Sequence, residues 1–167
     1  MSASDLVGHL NCGHLTALDL QVADGALEKP KRWDPLLEIL QQRGAAHVAA
    51  YIDHLRASGL TVAVIEGKGI DDGSVAATIE AMRAGAQIIV QAALRAPPFT
   101  GRADILRRLE TPSDLGVWSY EVVDTKLARE TKGGTVLQLC LYSDLVGQVQ
   151  GLVPEYAYVV APLTGAC

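Results

Sequence analysis

Aromatic side chains are scarce in this sequence. They make up 5% of its 167 residues, with a single phenylalanine and two tryptophans. Large rings therefore cannot fill the interior, and we expect a core of alanine, valine, leucine and isoleucine, as in layered α/β domains. With 49% hydrophobic and 20% charged residues, the composition excludes a disordered chain and a collagen-like rod. At about 150 residues per domain, the length predicts one domain with a short appendage.

Long apolar runs are also absent. No uninterrupted stretch approaches the roughly 20 residues of a bilayer-crossing helix, because glutamine, glycine and charged residues break each candidate. No lysine or arginine precedes Lys29, so the basic region of a secretory signal is missing. We therefore expect a cytoplasmic protein with no membrane partner.

Cysteine occurs three times, at Cys12, Cys140 and Cys167. An odd number at wide spacings argues against a disulfide framework, and no Cys-x-x-Cys pair is present for a structural zinc site. His9 and His14 flank Cys12, but their spacing lacks the paired ligands of zinc sites, and we interpret the three as incidental. Reduced thiols are expected.

Basic residues are fewer than acidic residues in this sequence. The chain has 14 basic and 19 acidic residues, a net charge of −5, which excludes a broad electrostatic grip on nucleic acid. Any such contact must be local. Arg129 and Lys132, beside a pair of glycines, belong either to an ordinary solvated loop or to a contact with a phosphate backbone. The local excess of positive charge favours the contact. Residues 67–69, Gly-Lys-Gly, lack the rest of a phosphate-loop pattern and are interpreted as a turn.

Hydrophobic periodicity and turn residues divide the chain into helices and strands. A long helix is expected from Asp34, its N-cap, to Gly59, with a short helix before it. The later elements are a strand at 61–65, a helix at 74–84 capped by Ser74, strands at 87–91, 99–109 and 117–126, a helix at 135–149 and a strand at 156–161. This order predicts an α/β fold, with a mixed central sheet flanked by helices. We divide the chain into an N-terminal helical appendage, 1–34, and a core, 35–167.

The strand at 117–126 carries the most informative polar residues. Asp124 and Lys126 are two positions apart, so they share one face of the strand where it opens into a loop. Asp104 lies 20 residues earlier (124 − 104) on the neighbouring extended segment. Antiparallel pairing of the two segments would bring the second carboxylate alongside the first.

Two converging carboxylates repel each other unless a cation lies between them, and oxygen ligands suit Mg²⁺ or Mn²⁺. Such an ion activates water and neutralises charge on a phosphodiester, while Lys126 orients the water or the phosphate. The implied reaction is phosphodiester hydrolysis. Gln138 and Tyr142, four residues apart on the following helix, share a face from which they can support Lys126 or contact a nucleic-acid strand. Both residues are equally compatible with hydrogen bonds to buried backbone.

These motifs resemble one nuclease group. The series Gly-Arg-Ala-Asp104, Asp124-Thr-Lys126 and Gln138-x-x-x-Tyr142 is similar to the RecB-like branch of the PD-(D/E)XK nuclease superfamily. More narrowly, the chain resembles the nuclease part of bacterial RecB-like proteins that continue into an RNase H-like region. The resemblance runs from about residue 6 to 162. His47 matches the helix histidine of that branch.

The resemblance implies a restriction-endonuclease-like fold with an αβββαβ core. It also implies a deoxyribonuclease, an exonuclease, that acts on DNA. The Mg²⁺ or Mn²⁺ site would be formed by His47, Asp104, Asp124 and the carbonyl of Thr125, with Lys126 catalytic. Longer relatives imply a helicase or RNase H-like partner domain, and a homo-oligomer is a further expectation.

The chain departs from that branch at two places. Related nucleases often hold an iron–sulfur cluster with one cysteine before the core and three after it. Cys12 matches the first position, and only Cys167 follows the last strand, so we expect no cluster in this chain. Val48 follows His47 where close relatives tend to have glutamate, which would alter the surroundings of the metal ligands without changing the ligand set.

Two other functions fit the same residues. The first is a non-catalytic DNA-binding or assembly module derived from a larger RecB-like nuclease. The second is a small-molecule phosphohydrolase, which would share the metal chemistry but act on nucleotides instead of polymers. Asp-x-Lys is a common tripeptide that more often forms a weak surface ion pair, so the function depends on Asp104 joining it.

Overall fold

A five-stranded mixed β-sheet forms the centre of the computed structural model, which describes residues 1–30, 34–67, 69–128 and 130–162. Helices cover both faces of this sheet. In chain order the elements are α1 (Ala3–Asn11), α2 (Gly13–Ala23), α3 (Pro35–Ala57), β1 (Val62–Val64), α4 (Asp72–Arg83), β2 (Ile88–Ala96), β3 (Phe99–Leu109), β4 (Ser119–Thr125), α5 (Gly133–Gln150) and β5 (Ala157–Val160). The predicted α/β class with a mixed sheet flanked by helices is confirmed.

The strands lie side by side in their order along the chain, from β1 to β5. β2, β3 and β4 are antiparallel to one another, whereas β1 is parallel to β2 and β5 is parallel to β4. The predicted antiparallel pairing of the third and fourth strands is confirmed, with Ile105 opposite Val123. β4 therefore has neighbours on both sides, and all of its residues are buried.

Two apolar layers hold the helices to the sheet. On one face, α4 and α5 pack against β2, β3 and β4, and the buried residues include Met82, Leu106 and Leu145. On the other face, Leu55 of α3 packs against a smaller cluster in β2, β3 and β4. Most side chains in both layers are aliphatic, as the low aromatic content predicts. Tyr120 is the one fully buried ring among the described residues.

β2 is longer than predicted. It extends to Ala96, five residues beyond the predicted end at Gln91, and joins β3 through a two-residue turn at Pro97 and Pro98. Residues 92–96 are rich in alanine, which has low strand propensity, so the extension carries little local signal. Burial of Ala92, Ala93 and Leu94 between the helices and the paired strand stabilises it.

The helix caps differ in part from those expected. Asp34 caps α3 as predicted, because its Oδ1 accepts a hydrogen bond of 3.0 Å from Leu36 N. The predicted cap of α4 at Ser74 is wrong, since α4 begins at Asp72 and its N-cap lies three residues before Ser74. Asp71 is the N-cap, and its Oδ1 accepts a bond of 2.7 Å from Ser74 N. Ser74 completes the reciprocal capping box through its own hydroxyl.

Two helices, α1 and α2, form within residues 1–34, where one short helix is predicted. α1 packs against α5: Ala3 is buried, and a Cβ at Gly134 would lie 3.0 Å from Val7 Cγ1. The division of the chain at residue 34 into an N-terminal appendage and a core stays a prediction. None of the helices in the described part of the chain has the length and apolarity needed to cross a membrane.

Candidate functional site

The candidate site lies where β4 ends. Helices cover both faces of β4, so Asp124 is only 1% exposed although it is a carboxylate. Thr125 is the last residue of the strand, and Lys126 follows it into the loop. The backbone N–H of Lys126 still donates to Val160 O of β5, over 3.0 Å, which fixes the start of this loop.

Asp104 reaches this end of β4 because β3 and β4 separate there. Their ladder ends at the pair Ile105 and Val123. Beyond it, the Asp104 side chain takes the place of a strand partner. Its Oδ2 accepts hydrogen bonds from Thr125 N over 3.0 Å and from Thr125 Oγ1 over 2.8 Å. The predicted proximity of Asp104 to the end of the neighbouring strand is therefore present.

Asp124, Lys126 and Gln138 form a closed triangle. Lys126 Nζ lies 2.8 Å from Asp124 Oδ2 and donates to Gln138 Oε1 over 3.2 Å. Gln138 Nε2 in turn donates to Asp124 Oδ1 over 3.2 Å. The amide of α5 thus ties the acid and the ammonium of β4 together, which is the supporting role considered for Gln138 from the sequence.

The two carboxylates interact with each other. The pKa of Asp124 is raised from 3.8 to about 6, mainly because burial disfavours the charged form. The negative charge of Asp104 raises it further, and the ammonium of Lys126 opposes the shift. The charge of Asp104 therefore contributes to the raised pKa of Asp124, and perturbed pKa values of this kind are common at functional sites.

Tyr142 packs beside the same carboxylates. Its ring lies so close to Gly101 of β3 that a Cβ at that position would overlap it. Burial raises the pKa of Tyr142, and the charges of Asp124 and Asp104 add to the increase. Gln138 and Tyr142 thus both face the site from α5, as their four-residue spacing predicts.

His47 does not join the two carboxylates directly. Its Nε2 lies 3.1 Å from Val160 O, a carbonyl that can only accept, so Nε2 carries the donated proton. This carbonyl is the one that Lys126 N also contacts. Across the described residues, no group of three or more His, Cys, Asp or Glu side chains is close enough to hold a metal ion. His47 is therefore linked to the site through β5.

The remaining candidates lie around this centre or outside the described residues. Lys132 is the exposed N-cap of α5 and lines a pocket of about 440 Å³ together with Gln138. Arg129 and Cys167 fall outside the described residues, as does Lys68 of the predicted 67–69 turn. Cys12 and Cys140 are exposed free thiols.

Arg102 belongs to the Gly-Arg-Ala-Asp104 motif, but the sequence predicts no role for its side chain. In the structure this side chain joins separate elements. Its guanidinium donates to Gly69 O over 2.6 Å, to Ile65 O over 2.8 Å and to Gln91 Oε1 over 3.2 Å. The first two bonds attach the loop after β1 to β3, and the third joins β3 to Gln91 of β2. Each partner is distant in sequence from Arg102, so no local pattern could have revealed the contacts.

The oxygen atoms at this site fit a divalent cation. Asp124 Oδ2 is buried and has no hydrogen bond of normal geometry among the described residues, although Lys126 lies beside it. The hydrogen bonds to Asp104 from described residues fall on Oδ2. Asp104 Oδ1 therefore accepts no hydrogen bond from the described residues, Asp124 Oδ2 is paired with the Lys126 ammonium, and carboxylate oxygens are the ligands that Mg²⁺ and Mn²⁺ prefer.

Comparisons with known proteins return no match: no family model, curated protein or solved structure is significantly similar to the chain.

Proposed function

We propose that this chain is a metal-dependent deoxyribonuclease that hydrolyses phosphodiester bonds of DNA. The observation that carries this proposal is the meeting of Asp104, Asp124 and Lys126 at one end of β4. Two carboxylates beside a lysine match the chemistry of phosphodiester hydrolysis, which needs a bound cation and a positive charge at the phosphate.

We propose further that the fold is restriction-endonuclease-like. The antiparallel strands β2, β3 and β4 are followed by α5 and by β5, which is parallel to β4. With α3 before the strands, this order supports an αβββαβ core to which β1 and α4 are added. The resemblance of the motifs to the RecB-like nucleases supports the same assignment.

The residues have distinct tasks in this proposal. A bound Mg²⁺ or Mn²⁺ would lower the pKa of water and offset charge on the scissile phosphate. Asp104 and Asp124 would hold this ion, with the carbonyl of Thr125 as a further oxygen ligand. Lys126 stabilises the negative charge that develops on the phosphate. Gln138 keeps the ammonium and the carboxylate of Asp124 at a fixed separation.

DNA cleavage tests the proposal directly. End-labelled linear and circular DNA, single- and double-stranded, are incubated with the protein and Mg²⁺ or Mn²⁺. We expect cleavage that EDTA abolishes, and losses of about 100-fold or more in Asp104→Ala and Lys126→Ala. Asp53→Asn removes an exposed carboxylate of α3 and serves as the matched control. Degradation of linear DNA alone identifies an exonuclease.

Other outcomes identify the competing functions. DNA binding without cleavage or Mn²⁺ uptake would identify a non-catalytic binding module. Hydrolysis of nucleotides but not of polymers would identify a small-molecule phosphohydrolase. If Asp104→Ala and Lys126→Ala cleave DNA as fast as the parent, the catalytic centre does not lie at the end of β4.

A further inference from the structure

The middle residue of the Asp124-Thr125-Lys126 series makes an unexpected side-chain contact. Thr125 donates to Asp104 Oδ2 twice, through its backbone N–H over 3.0 Å and through its hydroxyl over 2.8 Å. The backbone bond is available to any residue except proline at this position. The second hydrogen bond, from the hydroxyl, requires threonine or serine, so it depends on which side chain occupies this position.

We propose that Thr125 is a positioning residue, whose hydroxyl orients the Asp104 carboxylate for cation binding. This inference rests on the proposed metal-dependent function. The backbone N–H alone would leave the carboxylate free to turn about its last torsion, which has a broad energy minimum. The second donor removes that freedom.

The position of Thr125 in β4 restricts the rotation of its side chain and so fixes its hydroxyl. Threonine is β-branched, so few rotamers are open to it in a strand, and Thr125 is buried at the strand end. Its N–H and Oγ1 therefore present two donors at a fixed spacing. A carboxylate that accepts both bonds on one oxygen has one orientation that satisfies them.

The two hydrogen bonds on Oδ2 determine which oxygen of Asp104 can bind a cation. Two donors occupy the two lone pairs of Oδ2, which leaves Oδ1 as the oxygen available to a cation. The two oxygens of Asp124 are likewise distinct, because Gln138 donates to Oδ1 whereas Oδ2 faces the Lys126 ammonium. Thr125 thus performs for Asp104 the task that Gln138 performs for Asp124.

Calorimetric titration with MnCl₂ in the absence of DNA tests this inference. Thr125→Val keeps the shape of the side chain but removes the donor, whereas Thr125→Ser keeps the donor. We expect Mn²⁺ affinity to fall 10- to 100-fold in Thr125→Val, the range found when a partner of a metal-binding carboxylate is lost. Thr125→Ser should stay within about threefold of the parent, because it restores the bond.

Two further comparisons separate this effect from general damage. Thr61→Val removes a hydroxyl that donates to Gln87 over 3.0 Å, away from the site, and should leave Mn²⁺ affinity unchanged. Thr125→Ala serves in place of Thr125→Val if the latter does not fold, and its comparison with Thr125→Ser isolates the same hydroxyl. At saturating Mn²⁺, the KM for DNA should match that of the parent.

The outcomes distinguish this inference from the proposed function. If Thr125→Val binds Mn²⁺ like the parent, or Thr125→Ser binds it as weakly as Thr125→Val, the hydroxyl does not orient Asp104. In either case the parent still binds Mn²⁺ and cleaves DNA. A parent protein that neither binds Mn²⁺ nor cleaves DNA would overturn both proposals.

Discussion

Among the single residues of the site, Asp124 is held in the least favourable environment for its charge. It is 1% exposed, and Asp104 adds a second negative charge nearby. Lys126 and Gln138 compensate in part through their contacts with the carboxylate. An ionised Asp124 should therefore destabilise the fold when no divalent cation is bound.

Replacing Asp124 by asparagine should stabilise the metal-free protein at neutral pH. Because its folded-state pKa is raised to about 6, protonated Asp124 contributes stability below the unfolded value of 3.8, and this contribution is lost as pH rises through 6. We expect Asp124→Asn to raise the free energy of unfolding by about 1–2 kcal/mol at pH 7.5 and to leave it near the parent value at pH 4. Urea unfolding in EDTA measures both.

The exposed carboxylate of Asp53 provides the control for this experiment. Asp53→Asn should not reproduce the difference between the two pH values, because its side chain remains in water. Equal free energies of unfolding for Asp124→Asn and the parent at pH 7.5 would show that burial does not disfavour the charge of Asp124.

Residues differ in how far the sequence reveals them. Asp124 and Lys126 were identifiable because their contacts follow from strand periodicity, and Asp104 because one antiparallel pairing brings it close. The hydrogen bonds of His47 and Arg102 connect segments far apart in the chain, to Val160 in one case and to the loop after β1 in the other. Such contacts depend on the packing of whole elements, which residue spacing does not report.

At the scale of elements, the close approach of α5 to β3 brings Gln138 and Tyr142 to the site. Gly101 is buried against the Tyr142 ring and the Leu145 side chain, so the helix lies nearer to the strand than a side chain would permit. The small residue on β3 thus sets the position of two polar residues on α5.

Gly101→Ala should push α5 away from β3. The added methyl would overlap the Tyr142 ring, and overpacking of this kind costs about 1–3 kcal/mol in the free energy of unfolding. Gly44→Ala, on α3, is the matched control, because nothing lies within 4 Å of its added methyl. We expect that variant to be as stable as the parent or slightly more so. Guanidinium unfolding that gives equal midpoints for Gly101→Ala and the parent would contradict this account.

Elements with a strong local signal were predicted, and those that depend on their neighbours were not. β4 contains two valines and a tyrosine, which favour strands, and α3 begins with an aspartate and a proline. The second half of β2 consists largely of alanines, and only its pairing with β3 and burial under the helices make it a strand. α2 follows α1 after the single residue Cys12, which has no side-chain capping bond to signal a new helix.

At the scale of the whole molecule, three elements that are separate in sequence supply the site: β3, β4 and α5. A cation bound there would connect them in the folded state only, and binding that is specific to the folded state raises stability. The mixed sheet flanked by helices follows from the order of the elements. The ends of β3, β4 and α5 meet because of the order of the strands in the sheet. No single segment of the sequence specifies that order.

Titration with MnCl₂ should therefore raise the melting temperature of the parent. At a Mn²⁺ concentration about 100 times the dissociation constant, the gain is roughly 2.7 kcal/mol, which corresponds to a rise of about 5–10 °C for a chain of this size. Asp104→Ala and Asp124→Ala should show no such rise, whereas Asp53→Asn should follow the parent. An unchanged parent melting temperature at saturating Mn²⁺ would argue against a cation site at the end of β4.

The central position of β4 has a further consequence for the amide protons around the site. Every residue of β4 is buried, and β3 and β5 pair with it on either side. We therefore expect its N–H groups to exchange with deuterium mainly when the whole domain opens, and β1, three residues long at the border of the sheet, to open locally. Asp124 and Thr125 should thus lie on the segment that opens least often.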